Sequence, residues 1–509
     1  MLISVTTLLI SFLLPLIYGL DSDPTILDSK VGVVCSRVTQ HKGKGYIKVN
    51  GQKLPQDVKI PTFIFHYIDL LNFTNVPRVE SYYNQYPNKL PEDLFSEDKF
   101  NIIPSKESEF DTAKVYNGYI DSSRDAEFIV PQSGIYCVYI GKVEDAKVSI
   151  PVDFKNSYGN LDYPSYMVYS QMKWVIIFAI ALFAYLFNYI LQFKVGEDFK
   201  NLDSISVISK AIIFWVLIPY IMVYIYQWAL FFLKNNFISS SQNSMLVGWA
   251  TFFSEFITQT YSIYTSGLLL LFSMGYGVIY YHNGNSHNYR MFPQKTFSKV
   301  IAFFVVYVLI MYVFLLLASH RSDQYPYLSG FGNLSLFDEK SSTWTSVFGS
   351  LAGLFSMITF GLTMYNYFQT KKTIAKFPPS ANDSDSTERV GSAFRKSIII
   401  FLVLPIIVFF IGGLIGAISS VKKLVKDIPQ QPSDRFEDYQ SVIIFFSLEN
   451  TFAGVMEPML ISSWVYFFTA VIAIFFIWIK DNNGLIIDRN VDDPIEYANV
   501  SQFDVSDSE

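Results

Sequence analysis

Beyond Tyr166 the chain carries seven apolar segments, near 174–193, 211–233, 247–281, 300–319, 344–368, 397–419 and 458–479. Most run past 20 residues, the length at which a helix crosses a hydrocarbon core of about 30 Å. No water is available there, so each segment must satisfy its own backbone groups and can only be a helix. The period-2 alternation that would signal an outer-membrane barrel is missing. Composition points the same way: 51% of residues are hydrophobic and 16% charged, against roughly 25% charged in soluble domains. Membrane lipids are therefore the first partner the sequence implies. No basic patch interleaved with aromatics occurs, which sets nucleic acid aside.

Residues 1–19 read as a signal peptide. The apolar run 8–17 is too short to span a bilayer comfortably, Pro15 sits near its end and the small Gly19 follows. An uncleaved anchor is the alternative, and the short run speaks against it. From 20 to 166 no apolar run approaches 18 residues. Short stretches rich in Val, Ile, Phe and Tyr recur at 31–35, 58–68, 127–130, 133–140 and 147–152, bounded by Gly, Pro, Asn and Asp. That is the pattern of an antiparallel sandwich or a similar all-β fold. The expected architecture is a membrane α-helical protein. A luminal all-β domain (20–166) precedes a seven-helix bundle (167–480) and an acidic cytosolic tail (481–509).

The two cysteines, Cys35 and Cys137, both fall in the β-type segment. In an oxidising compartment an even pair reads as one disulfide; two free buried thiols are the alternative. Cys137 shares a strand face with Ile135 and Tyr139. The triplets beginning at Asn72 and Asn333 are glycosylation sequons in segments placed in the lumen. Those at Asn382 and Asn499 fall on the cytosolic side and should go unused. Fourteen Lys and Arg lie in the predicted cytosolic segments and seven in the three luminal loops between spans, which agrees with the positive-inside rule.

The third segment stands apart. At 35 residues it would reach about 52 Å as one helix, well beyond a bilayer. Its first half carries Glu255, Thr258, Gln259 and Thr260, while 268–281 is apolar. Glu255 reads either as a cavity or ion-path residue, with Gln259 one turn below it, or as a residue at the luminal interface. Gly275 and Gly277 read as positions where neighbouring helices approach closely, a hinge being the other reading.

Catalytic patterns are missing. His41, His66, His282, His287 and His320 show no His-Glu-x-x-His spacing, and no nucleophile elbow, phosphate loop or intramembrane aspartate pair occurs. The expectation is a protein that is not an enzyme and needs no cofactor or metal. Rhodopsin-type signalling is disfavoured as well. Asp-Arg-Tyr is absent from the end of helix three, Asn-Pro-x-x-Tyr from helix seven, and no cysteine stands at the luminal end of helix three.

Two stretches carry a resemblance. One is Phe154-Lys-Asn-Ser-Tyr-Gly-Asn-Leu161 followed by Tyr163-Pro164. The other is Leu268-Leu-Leu-Leu-Phe-Ser-Met-Gly-Tyr-Gly-Val278. With the whole-chain plan they resemble the GOLD-domain seven-transmembrane family, also called the lung seven-transmembrane receptor family. Tyr158, Gly159, Gly275, Tyr276 and Gly277 are the matching motif residues. Ser157 stands where the family usually has Pro, and Tyr280 and Tyr281 where it commonly has a basic residue and Pro. The departures imply a divergent, fungal-type member. The resemblance implies a Golgi and endosomal trafficking protein with a GOLD-like sandwich, a luminal cargo or ligand, and no catalytic residues. The alternatives are a cation channel or lipid-binding transporter with a cavity near Glu255, and a signalling receptor. Tyr158-Gly159 reads as the turn from the sandwich into helix one. In the tail, Tyr497-Ala-Asn-Val500 fits the tyrosine-x-x-apolar pattern read by cytosolic sorting adaptors, though so short a pattern also arises by chance.

Overall fold

The architecture is taken from a computed structural model. It describes residues 26–41, 45–52, 54–56, 58–105, 114–143, 148–195, 205–238, 245–281, 290–319, 328–329, 343–376, 386–427, 435–451, 454–455 and 457–479. The signal segment 1–19, Asn333, and Tyr497 and Val500 in the tail lie outside the described residues.

The N-terminal region is all-β apart from short helical turns, and its strands fall into two sheets. Strands β1 (Ile26–Asp28), β2 (Val33–Val38), β3 (Tyr46–Val49) and β4 (Ile60–His66) come first. A 3-10 turn (Tyr67–Asn72) and helix α1 (Val79–Gln85) precede β5 (Tyr116–Ile120), β6 (Ala126–Ile129), β7 (Gly134–Ile140) and β8 (Ser149–Lys155). One sheet has the order β1-β8-β3-β6. The other runs β2-β7-β4-β5, with a two-residue strand β11 (Leu328–Ser329) added beside β2.

The strand sequences explain the layering. Every residue of β4 and β7 is buried, as expected of central strands covered on both faces. In β8 burial alternates from Ser149 to Lys155, so one face meets the core and one meets solvent. On one side of the five-stranded sheet Tyr136 reaches Phe128 of the other sheet, ring centroids 6.1 Å apart. On the opposite side Phe63, Phe65 and Tyr139 pack with Phe73, Phe100 and Tyr82. Cys35 and Cys137 face each other across β2 and β7 and form a disulfide, Cα atoms 4.0 Å apart.

The helices begin at Tyr163, close to the expected boundary, with Pro164 in the first turn where its missing N–H costs nothing. They are α2 (Tyr163–Tyr189), α3 (Val207–Phe237), α4 (Met245–Ser273), α5 (Gln294–Ser319), α6 (Thr343–Ile374), α7 (Ser386–Asp427), α8 (Phe436–Thr451) and α9 (Glu457–Ile479). A two-stranded piece, β9 (Tyr280–Tyr281) with β10 (Arg290–Met291), joins α4 to α5. Among the described residues six helices are long and apolar enough to cross a membrane: α2, α3, α5, α6, α7 and α9. The expected third span, α4, is 29 residues long. Glu255, Thr258, Gln259, Thr260, Ser262, Thr265 and Ser266 keep its hydropathy below that of the others.

Two expectations about α4 are corrected. It stops at Ser273, eight residues short of Tyr281, which makes it about 43 Å long. Gly275 and Gly277 are not inside a helix: their φ values are +86° and +79°. The Tyr276 amide donates to the Leu271 carbonyl and the Gly275 amide to the Phe272 carbonyl. These two bonds close a Schellman cap, which places a left-handed residue after the helix and favours Gly there. The apolar run continues through the cap, so hydropathy alone conceals the end.

Within α3, residues Ile212–Leu217 widen into a π-turn just before Pro219. Proline removes one amide and crowds the carbonyl four residues back. Beside this turn the Val216 carbonyl accepts from the Tyr261 hydroxyl of α4, at 3.0 Å.

Candidate functional site

Among the described residues, three ties join one end of the bundle to the β-region. The first tie is the turn after β8. Asn156 and Gly159 exchange backbone hydrogen bonds at 3.0 and 3.1 Å, so 156–159 is a tight turn, and Gly159 has φ +139°. A side chain at Gly159 would run into the Asn235 carboxamide at the end of α3. Asn235 donates to the Tyr158 carbonyl at 2.8 Å and accepts from the Leu161 amide at 3.3 Å. Buried Asn156 accepts from the Thr39 amide at 2.7 Å and donates to the Leu161 carbonyl at 3.0 Å. The two asparagines thus clamp β2, the turn, α2 and α3 together. Tyr158 stacks on Tyr166 at 3.6 Å, and the Arg37 guanidinium lies over the Tyr163 ring at 3.6 Å. Desolvation raises the carboxyl of Asp162, the residue just before α2.

The second tie is β11. Leu328 and Ser329, between α5 and α6, pair in parallel with Cys35 and Ser36. The third is α8, the helix between α7 and α9. Its Ser441 hydroxyl lies 2.6 Å from that of Tyr67 and about 3 Å from both Glu80 carboxylate oxygens. Arg78 pairs with Glu437 at 2.7 Å. Val442 and Phe445 are buried in the β-region core, the latter against the Tyr67 ring at 4.3 Å.

At the opposite end the bundle is closed. Phe272 of α4 packs on Phe394 of α7 and Trp478 of α9, at 5.3 and 6.0 Å. Trp478 donates to the Ser397 hydroxyl at 2.9 Å, and Thr370 of α6 donates to the Ser273 carbonyl at 2.8 Å.

Between these ends the helices part. One face of α7, read at helical spacing, runs Gly391, Phe394, Ile398, Pro405, Phe409, Gly412 and Gly416. Its first half meets α6 and α4, through Tyr367 and Phe272, and also α9, through the Trp478–Ser397 bond. Its second half meets α9, where a side chain at Gly412 would strike Ser462 and one at Gly416 would reach Val455. Gly412, Gly416 and Ser420 thus form a small-residue stripe that lets α7 and α9 approach closely. On α6 the Tyr367 face continues toward the β-region through Phe360, Ser356 and Gly353, all exposed. A Cβ placed on Gly353 meets nothing within 4 Å. The α6–α7 contacts of Tyr367 with Phe394 and of Ile374 with Gly391 thus lie toward the closed end, while this face of α6 is open toward the β-region.

Helix α4 carries the polar residues at this level. Glu255, Gln259 and Ser262 lie on one exposed stripe of it, at spacings of four and three residues. On one flank Gln227 of α3 donates to Thr258 at 2.8 Å and Lys234 to Thr251 at 3.2 Å. On the other, Ile263 packs with Tyr307 of α5 and Ala352 of α6. The side toward α9 is aromatic: Tyr220 stacks on Phe467 at 4.0 Å, and Trp464 donates to the Tyr224 hydroxyl at 3.4 Å.

The residues singled out from sequence thus fall in three places. Tyr158 and Gly159 are at the junction, Glu255 and Gln259 on the exposed stripe of α4, and Gly275, Tyr276 and Gly277 at the closed end. Asn72 lies in the 3-10 turn, its amide donating to Asp69 at 3.1 Å. Asn235, the α8 contacts and the Gly412 stripe were not foreseen. The stripe's four-residue spacing was legible; the partners of Asn235 and α8 are remote in sequence and left no local signal. No group of His, Cys, Asp and Glu among the described residues could hold a metal ion. No protein-family model matches the chain, and no curated protein matches it in sequence.

Proposed function

We propose that this chain is a non-enzymatic membrane protein of the Golgi and endosomes that acts in trafficking by receiving a lipidic or lipid-linked ligand in the cleft between α6 and α7. Seven spans, a luminal β-sandwich and a cytosolic tail belong to this reading. The carrying observation is the polar stripe Glu255–Gln259–Ser262, exposed on α4 where α6 and α7 diverge. Polar groups at membrane depth are costly unless they serve a ligand or a wet cavity. Pro405 lies inside α7 beyond its contact with α6 at Phe394, and prolines commonly kink helices.

The seventh span is supported by the ties at the junction. The end of α3 meets the β-region through Asn235, and the connection after α5 meets it through β11. Helix α4 leads away from the first and α5 returns to the second, so α4 runs the depth of the bundle. Its length of about 43 Å is ample for a crossing. The Golgi and endosomal assignment, and the trafficking role, rest on the resemblance to the GOLD-domain seven-transmembrane family.

Reconstitution of the full chain in lipid nanodiscs with a photoreactive phospholipid tests the reading. Adducts are expected on α4 near Gln259 and on α6 near Gly353, and Gly353→Trp should suppress them. Adducts confined to the outer faces of the bundle, unchanged by Gly353→Trp, would overturn it.

A further inference from the structure

The closed end of the bundle carries exposed cations from two helices. Lys371 and Lys372 lie in the last turn of α6, Lys376 follows it, and Arg395 and Lys396 lie on α7. Packing brings the two sets together: Tyr367 meets Phe394 at 5.6 Å, and Gly391 faces Ile374. All five side chains are exposed, and none has an ion-pair partner among the described residues. One exposed acid, Glu388, immediately precedes Arg389 and stands about a turn before the contact of Gly391 with α6.

The C-terminal segment leaves from the same place. Ile479 ends α9 and is 2% exposed, and Trp478 donates to Ser397, the residue after Lys396. Whatever follows Ile479 begins beside Arg395 and Lys396. Residues 480–509 hold eight acidic and two basic side chains, which is the whole of the chain's net charge of -6. Thirty residues reach up to about 100 Å when extended, ample for every cation of the rim.

We propose that the acidic segment 480–509 docks in cis on the rim formed by Lys371, Lys372, Lys376, Arg395 and Lys396. A single exposed ion pair is weak. Tethering raises the local concentration of the segment to the millimolar range, and several pairs act together. The same cations face the headgroup layer, where anionic lipids compete for them. The segment is therefore held on the rim beside neutral lipid and displaced beside anionic lipid. Resting on the sorting reading of Tyr497-Ala-Asn-Val500, this makes access of an adaptor to that motif depend on leaflet composition.

The test is a distance measurement on the full chain in phosphatidylcholine nanodiscs. Cys35 and Cys137 are joined and buried, so thiols introduced as Thr373→Cys and Ser506→Cys are the only free ones for spin labels. A short-distance population is expected. It should vanish in about 1 M salt, where the Debye length falls to about 3 Å, and in a variant with all five rim cations changed to Gln. It should shrink when anionic lipid is added to the discs. Distances identical in the parent and five-Gln chains, at both salt concentrations, would overturn the proposal. So would the absence of a short population in neutral discs together with loss of anionic-vesicle binding by the five-Gln variant, which assigns the rim to lipid. No adaptor enters the measurement, so docking stands or falls separately from the sorting reading. Gel filtration of the five-Gln variant checks that it folds.

Discussion

The hydroxyls of Tyr67 and Ser441 lie 2.6 Å apart although 374 residues separate them in the chain. Tyr67 opens the 3-10 turn after β4, and Ser441 sits on the buried face of α8. The bond joins the β-region to the connection between α7 and α9, the pair that shares the Gly412 stripe.

Removing that bond should loosen the docking of α8. Tyr67→Phe and Ser441→Ala should each cost about 1 kcal/mol, and the double variant less than the two added, because they share one interaction. Phe445→Ala should cost more, about 3–5 kcal/mol, through the cavity it leaves. Hydrogen exchange of the α8 amides in the full chain reads all four. Additive single effects would show that the two hydroxyls act independently.

The junction turn should be intolerant at one position. Gly159→Ala places a methyl group at φ +139° and into the Asn235 carboxamide. Left-handed backbone alone costs an L-residue about 1–2 kcal/mol, and the clash adds to it. Gly275→Ala meets the backbone penalty and only a mild crowding, at 3.2 and 3.3 Å from Thr370 and Ile279. Thermal unfolding in detergent should therefore fall further for Gly159→Ala than for Gly275→Ala; the reverse order would contradict the clamp.

Acidification should act on the β-region through two neighbours of opposite sign. Burial pushes the His66 imidazole from its usual 6.5 down to about 4. The unfolded chain takes up that proton first, so the stability His66 contributes is complete above pH 6.5 and is lost as pH falls to 4. The loss amounts to about 3 kcal/mol. Burial pushes the Asp69 carboxyl up to about 6, against an opposing pull from Lys114 and Asn72. Here the folded chain takes up the proton first, so a penalty present at neutral pH is relieved between pH 6 and 3.8. The two contributions largely offset. His66→Gln should make the β-region gain stability on acidification, and Asp69→Asn should make it lose stability. Exchange of β4 and β7 amides between pH 7 and 4.5 measures both. Identical pH profiles for the two variants would refute the assignment.

Close approach of α7 and α9 should depend on the small residues between them. Gly412→Leu drives a side chain into Ser462, whereas Gly413→Leu points into open space. Overpacking of this kind costs about 1–3 kcal/mol. Detergent unfolding should separate the two variants, and equal effects would count against the stripe.

Breaking the Cys35–Cys137 disulfide should destabilise the β-region. The cross-link closes a loop with a sequence separation of 102, worth roughly 4–5 kcal/mol in the chain-entropy model. Cys35→Ser with Cys137→Ser, followed by limited proteolysis, should expose the β-region to cleavage. Unchanged resistance would show that the sheets hold without the link.

The stretches read as strands at 31–35, 127–130 and 147–152 fall on β2, β6 and β8, the last two with alternating burial. The stretches at 58–68 and 133–140 became β4 and β7, central and buried on both faces. β3 and β5 were missed: Tyr46–Val49 is four residues with a Lys among them, and Tyr116–Ile120 carries Asn-Gly, a turn signal. Helix ends were underestimated for a related reason. Segment 174–193 belongs to a helix that begins at Tyr163, in turns rich in Tyr and Ser that hydropathy discounts. α8 escaped because its apolar face is incomplete until Tyr67 and Phe445 meet.

What the sequence determined by itself is the material of each part. Long apolar runs must be helices in lipid, alternating short runs must be strands, and a carboxylate at Glu255 must find a polar setting. What only the tertiary structure decided is which of these parts touch. Asn235 finds Tyr158, Ser441 finds Tyr67, and Gly412 of α7 finds Ser462 of α9, each through contacts between residues far apart in the chain. Local preference fixes periodicity over a few turns. The cleft, the clamp and the cation rim arise where separate elements meet, and their specificity lies in side-chain shape and hydrogen-bond geometry that no single segment contains.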